Sequence, residues 1–479
     1  MPGVRVLLLM ANSVEMAVVA FALSQLGAIW IPLNTALKGN WLTDVVTRAR
    51  SSVLVVDAEL LAAVEGDQLP GVERLVVVGA SGSQATEMIR DYDAILGEDA
   101  GEPAPDRDYR EVTAVMWTSG TTGAPKGVMQ THSSWLLGSH GLSGYRDFRD
   151  GDVLYCCLPM FNSGGWSLHV IGAMIAGLTV AIDPTFSASR FWERCRFYRA
   201  TQILTLGAMY DFLLQTPPST NDREHSVRVA ACIPIPPGRQ AEFMERFGIP
   251  AMWSGYAQSE FLWMFGRDPY QIGKPGSCGV VNDSVQVAIL DPDDRPVPTG
   301  DVGEICARPN EAHLMFAGYF DDPELTLTAT RNLWYHTGDL GFIDEDGELF
   351  FADRKTDVVR FGGRSISAAE VERAALAHPD VQQAAAVGVV TNDLDSEAEV
   401  MLTVVAKRPG LDPSQLARFI NDTAPHYLVP RFITVVESLP MTPTGKIEKH
   451  ALRSAGVTDQ TWDRTAAGFL IEKVDSWAR

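Results

Sequence analysis

The sequence predicts an α/β protein: a large N-terminal domain of mixed parallel sheets with a β subdomain, then a small α+β C-terminal domain. Three observations carry this. Short apolar runs alternate with helical or polar stretches at the spacing of βαβ units, which implies a mostly parallel sheet. From Gly279 the runs shorten and Asp-Pro, Asp-Asp and Thr-Gly pairs punctuate them, as in an antiparallel β subdomain. At 479 residues the chain exceeds one ordinary core, so two or three domains are expected.

Taken in order, VRVLLLM reads as a buried strand. Asn12, with Glu15 three residues on, resembles a capping box for a helix running to about Leu26. Gly27 stops that helix and AIWIPLN forms the next strand. SVLVVD and RLVVVGA repeat the strand pattern, and DVLYCCLPM, LTVAID and TQILTLG continue it through the middle of the chain. A hairpin around Asp346-Gly347 ends at Phe351, a charged link Asp353-Arg354-Lys355 follows, and a second hairpin turns at Gly362-Gly363. The expected division is a large domain over 1–352, a link over 353–357 and a small domain over 358–479. The last contains the helices SAAEVERAALAHPD and PSQLARFINDTA and the strands AAAVGVV and VMLTVVAK.

Composition narrows the function. Apolar residues make up 46% and charged residues 21%, the balance of a soluble globular chain. With 39 Lys and Arg against 60 Asp and Glu the net charge is −21, so nucleic acid and anionic membranes are not expected partners and any anionic ligand needs local donors. The six cysteines show no metal-ligand spacing and read as reduced, buried residues of a cytoplasmic protein. The start lacks the features of a signal peptide. The longest apolar stretch is broken by Ser24, Gln25, Gly27 and Pro32, so no membrane span is expected.

The segment TSGTTGAPKGV (Thr118–Val128) follows a strand and enters a loop, where phosphate-binding loops sit. Gly120 and Gly123 let the backbone approach phosphate oxygens. Thr118, Ser119, Thr121 and Thr122 offer neutral donors, and Lys126 offers a charge. The spacing is not that of the common P-loop, and a flexible surface loop is the other reading. SGYAQSE (Ser254–Glu260) sets Tyr256, a ring able to stack on a purine, close to the hydroxyl of Ser259 and the carboxylate of Glu260, a possible magnesium ligand. Alone, Tyr256 reads as a core aromatic. Asp339 in YHTGDLG can take both hydroxyls of a ribose or serve only its turn. Arg354 stands at the link. PMTPTGKIEKHAL presents Lys446 on a loop where, by itself, it reads as a solvated lysine.

In this order the five segments resemble the acyl-CoA synthetase family of adenylate-forming enzymes, over nearly the whole chain. The resemblance implies ATP and acid pockets in the large domain and a mobile small domain hinged over 353–357 with Thr356 as pivot. ATP, Mg2+ and coenzyme A are the implied cofactors and co-substrates. Lys446 would contact the acid carboxylate and the α-phosphate while the acyl-adenylate forms. The hairpin of Gly362 and Gly363 would then replace it and shape a tunnel for the CoA thiol. Ser259 and Glu260 join Lys446 as catalytic positions, Glu260 as the magnesium ligand. Asp339 and Arg354 become ribose ligands, and Tyr256 and Ala257 nucleotide contacts. Arg354, Lys355, Arg360 and Arg364 form a basic cluster that either meets CoA phosphates or is a solvated hairpin.

Three departures from the family pattern surround the adenylation site. Tyr256-Ala257-Gln258-Ser259-Glu260 replaces Tyr-Gly-x-Thr-Glu, which strains Ala257 if the position needs positive φ. Ala231-Cys232-Ile233-Pro234 replaces Gly-Gly-Ala-Pro, and Asn162 stands where histidine is common. Asn162, Trp166, Cys232 and Trp253 are expected in the acid pocket, with Phe261, Trp263, Met264 and Phe265 around it, which suggests a bulky apolar carboxylic acid. The principal expectation is a complete acid:CoA ligase. A second is a ligase limited to thioester formation, fed by a separate adenylating enzyme. A third is an inactive nucleotide-binding protein. A carrier-protein thiol in place of CoA also stays open.

Overall fold

Leu7, Leu8 and Leu9 are almost wholly buried, and so are Leu54, Val55 and Val56 beside them. A strand covered on both faces reads as a continuous apolar run rather than an alternation, which is why these segments were legible as parallel strands. The computed structural model describes residues 2–64, 69–79, 89–96, 106–118, 125–143, 145–233, 235, 239–354, 358–361, 364–391, 398–440, 447 and 449–471.

The first sheet has seven strands in the order Ile89–Asp91, Arg74–Val78, Val53–Asp57, Arg5–Leu9, Ile29–Pro32, Val112–Thr118, Lys126–Thr131. All neighbours are parallel except the last pair, which is antiparallel. The second sheet has five parallel strands, in the order Ala251–Trp253, Val229–Ile233, Gln202–Leu206, Val153–Cys156, Thr179–Ile182. A third, antiparallel sheet of six strands runs from Phe265 to Arg354 and is the anticipated β subdomain. The C-terminal part contributes the hairpin Val358–Phe361 with Arg364–Ser367 and a four-stranded sheet with helices Ala368–Leu376 and Pro413–Thr423.

One cap differs from expectation. The helix Val14–Gln25 is capped by Ser13, whose hydroxyl accepts from the Met16 N–H at 3.1 Å. Asn12 instead joins two sheets. Its Nδ2 donates to the carbonyls of Leu158 and Asp183 at 2.8 and 3.1 Å, and its Oδ1 accepts from the Met160 N–H at 2.7 Å. The extended backbone of Ser13, at φ −157°, suits the cap, whereas the side chain of buried Asn12 is taken up by main chain of the neighbouring sheet.

The small domain rests on the helix Gly39–Ala49 of the large one. Trp41 packs against the C-terminal core, the Arg373 guanidinium lies 4.1 Å from its ring centroid, and Lys38 Nζ donates to the Asn421 carbonyl at 2.6 Å. None of the six cysteines, all buried, is in a disulfide. Among the described residues no helix is long and apolar enough to cross a membrane.

Candidate active site

The carboxyl ends of the parallel strands converge on a cavity of about 610 Å³. Pro32, Thr118, Leu206 and Ile233 each end a strand, and all four line it. Ligands of open α/β sheets bind at this edge, where loops can present polar groups without breaking the ladder. The antiparallel sheet brings Asp339 to the same cavity, and the segment after Trp253 brings Ala257, Gln258, Ser259 and Glu260. Glu370 and Tyr427 reach it from the C-terminal domain.

Two acidic groups organise the wall. Asp339, 1% exposed, accepts through Oδ2 from the Tyr256 hydroxyl at 2.7 Å and from Gln258 Nε2 at 2.8 Å. Gln258 is itself fixed, donating to the Thr337 carbonyl at 3.1 Å and accepting from the Tyr335 hydroxyl. Glu260, also buried, accepts through Oε1 from the Tyr319 hydroxyl at 2.8 Å. Burial followed by the nearby Glu260 charge pushes the Tyr319 and Tyr335 phenols well above the ordinary tyrosine range, so both are neutral donors. Lys126, at the start of the strand Lys126–Thr131, lines the cavity with its ammonium 5.3 Å from the Tyr319 ring centroid. Ser259 lies against Ser163, the two hydroxyl oxygens 2.8 Å apart, and its carbonyl accepts from Gln130 Nε2.

The turn that carries Asp339 has its own brace. Glu304 Oε1 accepts from the Gly338 N–H at 3.2 Å, and Oε2 lies 3.0 Å from His336 Nδ1 and 3.3 Å from Arg331 Nη2. Cys306 Sγ is 3.2 Å from the same histidine nitrogen. Glu304, Cys306 and His336 are close enough to share an ion. The Arg331 guanidinium already supplies the positive charge there, so the group reads as a hydrogen-bonded support.

Several sequence expectations change. Tyr256 does not line the cavity: its ring packs edge-on to Phe265 at 6.2 Å and its hydroxyl serves Asp339. Ala257 lines the cavity with negative φ, so the anticipated backbone strain is absent. The close approach falls instead at Gly255, where a Cβ would lie 2.4 Å from Trp263 and 2.6 Å from the Phe265 carbonyl oxygen. Asn162 and Ile233 line the cavity, but Trp166, Cys232 and Trp253 do not. Trp166 is buried against Trp30 and bonded to the Met160 carbonyl, while Cys232 and Trp253 lie in the core of the second sheet. Phe261, Trp263, Met264 and Phe265 are core residues as well. Apolar bulk near a motif marks the core more often than a ligand wall, and that is what happened here.

Ser119, Gly120, Thr121, Thr122, Gly123, Pro234, Lys355, Thr356, Gly362, Gly363 and Lys446 lie outside the described residues, as do the side chains of Arg354, Arg360 and Arg364. The backbone places Arg354 directly opposite Asp339 on the adjoining antiparallel strand. Gln258, Tyr319 and Tyr335 escaped the sequence reading. Gln258 and Tyr335 stand inside the quoted segments SGYAQSE and YHTGDLG, where their polar atoms could have been counted as partners for the acids.

A family model for AMP-binding enzymes matches residues 1–320, and one for the C-terminal domain of AMP-binding enzymes matches residues 370–446. The chain belongs to the AMP-binding enzyme family. Among curated relatives of this AMP-binding enzyme is a crotonobetaine/carnitine–CoA ligase of Salmonella heidelberg. It is 28% identical over 458 residues, spanning 94% of this chain and 88% of the relative. Among solved structures, the amide bond synthetase McbA from Marinactinospora thermotolerans superposes with a TM-score of 0.80 at 26% identity, covering 95% of this chain and 90% of its own. ATP-bound MatB from Rhodopseudomonas palustris gives 0.65 at 27% identity, covering 95% and 89%. Both alignments cover nearly the whole of this chain.

Proposed function

We propose that this AMP-binding enzyme is a complete acid:CoA ligase that activates an apolar carboxylic acid as its acyl-adenylate and passes the acyl group to coenzyme A. The observation that carries this is one cavity uniting Thr118, Lys126, Glu260 and Asp339, a hydroxyl, an ammonium and two carboxylates drawn from separate parts of the fold. Adenylyl transfer is mostly positioning and charge stabilisation, so such groups around one cavity are the parts it needs.

In this reading Lys126 and the loop before it bind the ATP phosphates, Asp339 receives the ribose hydroxyls, and Glu260 is the carboxylate for magnesium. The site fits that ion: Mg2+ is usually held by one or two carboxylates together with substrate phosphates, and Glu260 lines the cavity with, among the described residues, a single neutral donor on Oε1. When bound, the ion would neutralise phosphate charge. Lys446 is assigned to the reacting carboxylate, with the small domain alternating on the 353–357 link so that the 362–363 hairpin serves the thiol step. Gly164, Ser167, Leu168, Leu206 and Ile233 supply a part of the lining without an ionisable side chain, which favours an apolar acid over a dicarboxylate. The core position of the tryptophans removes their support for a bulky one. The negative φ of Ala257 favours a working adenylation step over one reduced to thioester formation.

The test supplies CoA with a panel of apolar acids, once with ATP and magnesium and once as preformed acyl-adenylates, and detects thioesters by mass spectrometry. Thioester from both sets is expected. Product from the adenylates alone would mean that a separate adenylating enzyme feeds this chain. Acyl-adenylate without thioester, converted only when an amine or a carrier-protein thiol is added, would reassign the acceptor.

A further inference from the structure

We propose that Tyr319 is a positioning residue that sets the Glu260 carboxylate and the Lys126 ammonium for magnesium-bound ATP. The inference rests on the reading that this cavity binds ATP, and adds a residue to it.

Tyr319 belongs to FAGYF (Phe316–Phe320), a segment outside the motifs that suggested the function. Its side chain touches both groups at once: Oη donates to Glu260 Oε1 at 2.8 Å, and the ring face meets Lys126 Nζ at 5.3 Å from the centroid. The segment is fixed at several points. The Phe316 N–H donates to the carbonyl of Glu260 itself at 2.9 Å. Ala317 and Phe320 donate to Met129 and Gly127 on the lysine-bearing strand at 2.9 and 2.7 Å, and Met129 returns a bond to Gly318 at 3.0 Å. The Tyr319 N–H donates to Thr326 Oγ1 at 2.9 Å, and Phe316 packs edge-on to the ring at 5.0 Å. The phenol therefore has little freedom.

The chemistry suits a phenol. A neutral O–H donor stabilises the carboxylate charge and fixes its plane without adding a cation that would compete with a metal. The ring attracts Lys126 through its π face and so holds the ammonium on the same side chain that fixes Glu260. Phenylalanine would retain the ring and lose the donor. Leucine would lose both.

The test uses the full-length protein as wild type, Tyr319→Phe and Tyr319→Leu. Calorimetry measures ATP affinity with and without magnesium, and melting temperature controls for folding. Tyr319→Phe should weaken binding in the presence of magnesium roughly 10-fold while leaving metal-free ATP binding within about two-fold, the size expected for removing an outer-shell partner. Tyr319→Leu should weaken metal-free binding as well. Pyrophosphate exchange by Tyr319→Phe should need more magnesium. A wild-type magnesium requirement in Tyr319→Phe, or equal losses with and without metal that follow a lowered melting temperature, would overturn the assignment. Wild-type protein that binds no ATP under either condition would overturn the nucleotide reading itself and this assignment with it.

Discussion

At the scale of single residues the site departs from its family pattern at Ala257, and the backbone decides what that means. A Cβ is costly where φ is positive, and Ala257 has negative φ with its side chain at the cavity wall. The glycine that the packing requires is Gly255, crowded by Trp263 and by the Phe265 carbonyl. Ala257→Gly should therefore give no gain in ATP-dependent activity and should lower stability by up to about 1 kcal/mol, through the freedom it adds to the unfolded chain. Pyrophosphate exchange and a urea melt measure the two effects. A rise in exchange would show that Ala257 obstructs the nucleotide after all. Residue types were legible wherever a motif fixed them, as for Lys126, Glu260 and Asp339. Their partners were not: Tyr319 reaches Glu260 across 59 positions and Tyr256 reaches Asp339 across 83, distances over which no local pattern operates.

Among elements, Asn12 separates a local role from a long-range one. Ser13→Ala removes a helix cap and should cost about 1 kcal/mol. Asn12→Ala strips a partner from the Met160 N–H and from two carbonyls beside the second sheet, and should cost about 3 kcal/mol. Equal losses in a urea titration would return Asn12 to the capping role that its sequence suggested. The local pattern could not distinguish the two, because both residues are good caps and only the opposing sheet selects between them. The helix Ala368–Leu376 offers a test by pH. Burial pushes Glu370 up to about 7 from 4.5. The folded state thus holds this proton more tightly than the unfolded chain does. Its contribution to stability is complete below the unfolded value and is lost as pH rises through about 7. Glu370→Gln, which cannot ionise, should gain on wild type by about 2–3 kcal/mol between roughly pH 5 and pH 8. A difference in melting temperature that does not change with pH would mean that the carboxylate stays ionised in the fold.

For the molecule as a whole, the order of parallel sheets, antiparallel sheet and small α+β unit was legible because each has its own hydrophobic period. The way the small domain sits on the large one was not. Trp41 reads as one more apolar residue of an amphipathic helix, and nothing local says that its ring belongs to the other domain's core. In the pose described here Arg373 covers that ring and Lys38 reaches Asn421. The helix bearing Arg373 follows directly on the hairpin strands Val358–Phe361 and Arg364–Ser367, and the same helix turns Glu370 into the cavity. This is the side of the small domain that the proposed mechanism assigns to the thiol step. Trp41→Ala should therefore slow thioester formation from preformed adenylate by about five-fold or more, while pyrophosphate exchange stays within about two-fold. The asymmetry is the informative part, since a tryptophan that only stabilised the fold would affect both half-reactions alike. If exchange falls and thioester formation does not, the pose held by Trp41 serves adenylation, and the assignment of the hairpin side to the thiol has to be exchanged with that of the Lys446 loop.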